Sequence, residues 1–78
     1  MPTVLRVDDF DVVILLPPRE HGLAHVHVRK AGNEMVIVLS SLAVRKVEGM
    51  RSPDVVTAVS IVANHMGELL EAWRKHHG

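Results

Sequence analysis

The chain has 78 residues, no cysteine, and nine Lys plus Arg against nine Asp plus Glu, so its formal net charge is zero. That length suits one domain, 1–78, with a modest core, and the lack of cysteine excludes disulfides, thiolate metal sites and a cysteine nucleophile while fitting a reducing cytoplasm, the expected location. Zero net charge leaves nucleic acid open as a partner without favouring it, and gives little protection against self-association.

"MPTVLRVDDF" has neither a basic leader nor a long apolar run, so no signal peptide is expected. "TVLRV" (3–7) reads as a strand ended by the turn-prone pair Asp8-Asp9. "FDVVILL" (10–16) reads as the second strand, stopped by Pro17-Pro18, and a loop with Gly22 follows. "HVHVRK" (25–30) alternates at period two, "AGNE" (31–34) is a turn by composition, and "MVIVL" (35–39) follows. This pair is the clearest hairpin signal in the chain. "LAVRKV" (42–47) supplies a short fifth strand before Glu48-Gly49. No apolar run approaches the roughly 20 residues of a membrane span.

The second half is helical in pattern. Ser52 suits an N-cap, Pro53 suits N1, and Asp54 in the first turn complements the helix dipole. Val55, Val59, Val62, Met66, Leu69 and Trp73 recur at helical spacing and form one stripe. Gly67 interrupts it at a cost of about 1 kcal/mol but stays in register, which predicts one helix from about 53 to 76, bent there. Such a helix is about 36 Å long, whereas a compact chain of this size has a radius of gyration near ~11–12 Å. The prediction is therefore a helix that overhangs its sheet and leaves Leu69, Leu70 and Trp73 short of partners. "VVILL" and "MVIVL" are also apolar at both parities, as in strands covered on both faces. One helix covers one face. Either a partner or the loop 17–24 must cover the other.

The segment "EHGLAHVHVRK" (20–30) carries His21, His25 and His27. On a strand, His25, His27 and Arg29 share one face and Val26 and Val28 the other. Three readings compete. The simplest is a solvated strand face rich in polar residues. The second is a metal site, with His25 and His27 completed by His65 or His21. The third is acid–base chemistry on a phosphodiester, with His25 and His27 as base and acid and Arg29 on the phosphate, since imidazole titrates near neutrality. There is no Gly-rich phosphate loop, no G-x-S-x-G and no H-E-x-x-H.

"MPTVLR", the "EH…HVHV" segment and "NHMGELLEAW" together resemble a family of small bacterial proteins known only as a domain of unknown function, number forty-one-sixty in that series. The most specific parts are "HVHV", here His25 to Val28, and H-x-x-E-L-L-E-A-W, here His65 with Glu68 to Trp73. Members usually carry a proline pair directly before the first of those histidines. Here Leu23-Ala24 stand there. The resemblance implies no established chemistry and no cofactor. It does imply a genetic setting, because members are often encoded beside a second small protein in an arrangement like a toxin–antitoxin pair.

The expectation is thus an α+β fold: a mostly antiparallel four- or five-stranded sheet over 3–47 and one long C-terminal helix on one face. The leading function is a partner-binding component of a two-protein, toxin–antitoxin-like module, acting through self-association or a second small protein, with His65, Leu70 and Trp73 as binding residues. The alternatives are a small ribonuclease-like enzyme using His25, His27 and Arg29, and a histidine-based metal-binding domain.

Overall fold

The computed structural model describes residues 3–14 and 23–77. Five strands form one sheet in chain order, every neighbouring pair antiparallel: β1 (Thr3–Val7), β2 (Phe10–Val13), β3 (His25–Lys30), β4 (Asn33–Val38) and β5 (Val44–Glu48). Two helices follow, α1 (Ser52–Asn64) and α2 (Met66–His77). The α+β class and the five-strand antiparallel sheet match expectation. The strand expected over 10–16 ends at Val13, and its last two residues, with Pro17-Pro18 and His21, lie outside the described residues.

The β3–β4 turn is tighter than its composition suggests. Ala31 and Gly32 alone make it, at φ 48° and 82°, and Lys30 pairs with Asn33. Both central residues at positive φ are what a two-residue hairpin turn matching the strand twist requires. Asn33 and Glu34 therefore belong to β4. Asp8, at φ 53°, turns β1 into β2, a conformation that Asp tolerates better than most residues. Gly49 has φ 83°, and a Cβ there would collide with the Asn33 side chain, so this corner before α1 requires glycine.

Cross-strand register sorts the sheet into two faces. Val12, Val28 and Met35 lie in one row and Val26 pairs with Ile37; all five are fully buried. Ala58, Ile61, Val62 and Leu69 of the helices close this core. Of the expected stripe, Val62 and Leu69 are fully buried, whereas Val55, Val59 and Met66 only flank the core, and the buried line shifts to include Ala58 and Ile61.

The single long helix is corrected to two. The break is at His65, not at Gly67. A continuous helix would bond the His65 N–H to the Ile61 carbonyl. Instead the His65 ring Nδ1 donates to Ile61 O at 2.9 Å, and the His65 backbone N–H turns to Val62 O at 3.2 Å. A side-chain donor has replaced the backbone one, which lets the chain bend. The N-terminal cap is corrected by one residue: Val55 N–H bonds Arg51 O at 2.9 Å, so Arg51, extended at φ −82° and ψ 156°, precedes the helix and Ser52 begins it.

The bend also removes the expected overhang. The radius of gyration is 11.4 Å. Leu69 is fully buried, and Leu70 and Trp73 pack against the core. No helix among the described residues is long and apolar enough to cross a membrane.

Candidate functional site

The opposite face of the sheet carries the histidines, arranged in rows across the strands. The first row is charged. Arg6 pairs with Asp11, Asp11 with Arg29, Arg29 with Glu34, and Glu34 with Glu48. Opposite charges directly across a ladder attract, and the contacts follow. Arg6 Nε lies 2.9 Å from Asp11 Oδ1 and Arg29 Nε donates to Glu34 Oε1 at 2.8 Å. The one like-charged pair, Glu34 with Glu48, is eased by Lys46, whose Nζ lies 3.8 Å from Glu48.

The second row runs Val13, His27, Val36, Lys46, and the third pairs His25 with Val38. These rows are not a solvated polar surface. Val13 and Val38 are 3% and 4% exposed, and the His27 side chain is 12% exposed. The simplest sequence reading is therefore corrected: β3 holds its valines in the core as expected, but its histidines sit half-buried among apolar neighbours.

Each histidine is fixed through Nδ1. His25 Nδ1 donates to Leu23 O at 2.7 Å, and His27 Nδ1 to Glu34 Oε2 at 3.1 Å. A carbonyl or carboxylate only accepts, so in the neutral ring Nε2 is the basic nitrogen of both. Burial pushes the Glu34 carboxyl up, but hydrogen bonds from Arg29 and His27 and their charge outweigh it and hold the group below the ordinary carboxylate range. Glu34 thus anchors Arg29 and His27 together.

His25 lies between two rings, His27 at 5.4 Å and Trp73 at 5.2 Å between centroids. So the structure joins two groups of candidates, His25, His27 and Arg29 on β3 with Trp73 on α2. His65 is engaged elsewhere, on Ile61 O at the helix junction. Leu70 packs on the core. Among the described residues no group of three or more His, Asp or Glu is placed to hold a metal ion; His21 lies outside them.

Two residues were missed by sequence reasoning. Glu34 was hidden by reading "AGNE" as a four-residue turn; a two-residue turn at Ala31-Gly32 would have placed it opposite Arg29. For Arg45 the sequence offers only a modest basic cluster with Lys46 and Arg51, which does not place it beside the histidines. A bulge breaks the β4–β5 register, with Val36 opposite Lys46 but Ile37 opposite Val44, and Arg45 is the extra residue.

A small α+β sheet with one apolar face under two helices and one face of paired charges and half-buried histidines is the class these features define. The sequence model described as Domain of unknown function (DUF4160) matches residues 12–74. The chain belongs to that family. No curated protein and no solved structure matches it.

Proposed function

We propose that the protein is a partner-binding component of a small two-protein module, cytoplasmic and organised like a toxin–antitoxin pair. The observation that carries this reading is the edge strand β5. All five of its residues are exposed, and Val44 and Val47, on the helix-bearing side, are 39% and 46% exposed. Among the described residues no strand pairs with the outer edge of β5, and exposed apolar side chains on such an edge favour association over a free surface. The gene arrangement implied by the family points to a second small protein as the occupant. This moves the contact surface from the Leu70–Trp73 end of the helix, which is occupied by the core, to β5. Co-purification with the product of the neighbouring gene tests it: the pair is expected to co-elute, and Val47→Asp to release the partner while leaving the fold intact. Wild-type protein that recovers no partner and sediments as a strict monomer would sink the reading.

A second reading is favoured by the His27–Glu34 bond. A carboxylate on Nδ1 orients an imidazole and supports Nε2 as a base. With His25 at 5.4 Å, one ring can take the 2′-hydroxyl proton of an RNA strand while the other protonates the leaving 5′-oxygen. Cleavage of a labelled single strand, lost in His27→Ala, is the expected outcome; full activity in the double mutant of His25 and His27 would end it.

A further inference from the structure

Two of the clefts on the described surface differ in chemistry. The larger, about 510 Å³, sets Arg6, Arg29 and Lys30 among Asp9, Asp11 and Glu34, so its positive charge is already answered by carboxylates. The smaller, about 260 Å³, is lined by Leu23, His25, Val36, Val38 and Arg45. Among the described residues lining it there is no carboxylate. The described lining sets one permanent cation and one imidazole beside two valines.

The β5 bulge builds this cleft. Regular pairing would alternate residues 44 to 48 strictly between the two faces. The extra residue lets Arg45 join the cleft while Lys46 still pairs with Val36 on the histidine face. Re-aiming a side chain beside a site is a recurrent use of bulges. On the other wall, His25 Nδ1 is held by Leu23 O at 2.7 Å, which sets the ring's orientation. Arg29, by contrast, gives its Nε to Glu34.

From this arrangement we infer that the Arg45–His25 cleft binds the phosphate group of a small organic phosphate ester, with Leu23, Val36 and Val38 against its apolar part. Arg45 supplies the charge-assisted contact that guanidinium makes with phosphate oxygens. The volume falls just under the roughly 300–1,000 Å³ of whole-ligand pockets, which sizes the cleft for one phosphate and part of one attached group, as in a nucleotide. The inference does not depend on partner binding. It shares His25 with the acid–base reading but requires no cleavage.

Nuclear magnetic resonance separates these cases. The chain's single tryptophan, Trp73, touches His25, so its indole N–H reports on the cleft. Adenosine 5′-monophosphate is expected to shift that signal and the amides of residues 23, 25, 36, 38 and 45 saturably. Inorganic phosphate should move the same signals more weakly, and adenosine should not. A short single-stranded oligoribonucleotide that moves them identifies the ester as part of a strand; a response to the mononucleotide alone identifies a free nucleotide. Arg45→Ala, at an exposed position, should weaken binding by about tenfold or more, the loss of one charge-assisted pair. Arg45→Lys should restore part of it. Arg74→Ala, which removes an exposed cation on α2, should change nothing. No saturable shift with millimolar adenosine 5′-monophosphate, equal shifts from adenosine, or undiminished binding by Arg45→Ala would each overturn the inference.

Discussion

The two faces of the sheet come from the same strands and are held by different physics. On the helix side, Val12, Val26, Val28, Met35 and Ile37 are fully buried, and their contribution scales with area removed from water, whatever their direction. On the other side, Arg6, Asp11, Arg29 and Glu34 form a cross-strand row of alternating sign, with His27 tied to it. Those contacts depend on distance and angle. β3 contributes to both faces by simple alternation. The first face is where stability is concentrated; the second is where orientation is, and orientation is what recognition of a ligand needs.

The largest expected effect is on the apolar face. Leu69→Ala should cost about 2–5 kcal/mol in chemical denaturation, because it empties a fully buried site. A cost near zero would mean that α2 overhangs the sheet after all and that the bend at His65 is not what buries it.

Next comes the charged row. Glu34→Gln should cost about 1–3 kcal/mol at neutral pH, because Arg29 and His27 lose a charged acceptor. The Glu34 carboxyl is held below its ordinary value in the folded protein. Its contribution is therefore complete above the unfolded-state value near ~4.3 and is lost as pH falls through the lower folded value. Wild type and Glu34→Gln should differ in neutral buffer and converge in strong acid. A gap that persists in acid would show that Glu34 acts by packing.

His27→Ala should cost about 1–2 kcal/mol, since its side chain is 12% exposed and hydrogen-bonded. A stability unchanged from wild type would return β3's histidines to a solvated face and erase the contrast. Gly67→Ala is the smallest change and has the opposite sign. A Cβ there meets nothing within 4 Å, so the variant should gain about 0.4–1 kcal/mol with the bend at His65 kept. A straightened helix, seen as lost contact between Trp73 and His25, would transfer the bend to Gly67.

Much of the fold was legible because it rests on local rules. Period-two alternation in "HVHVRK" placed Val26 and Val28 inward, and Pro53 and Asp54 marked the start of the helix to within one residue. What failed did so for want of long-range information. Val55, Val56, Val59, Ile61 and Val62 ring α1 so fully with apolar residues that periodicity could not choose the buried line, and the sheet chose Ala58, Ile61 and Val62. Val56, one residue along from Val55, is 66% exposed. Of the site, His25, His27 and Arg29 on one strand face were legible. Their partners were not, because Glu34, Trp73 and Arg45 arrive from other elements.

By itself the sequence determined the five strands and the helical C-terminal region, the inward valines of β3 and the shared face of its histidines, because alternation and turn chemistry act over a few residues and need no partner. Only the tertiary structure decided that His65 bends the helix, that Glu34 holds His27 and Arg29, that Trp73 reaches His25, and that a bulge brings Arg45 into the same cleft. Each of those depends on which atoms meet across the fold, and a single hydrogen bond or one unpaired residue, invisible in composition or spacing, is enough to set it.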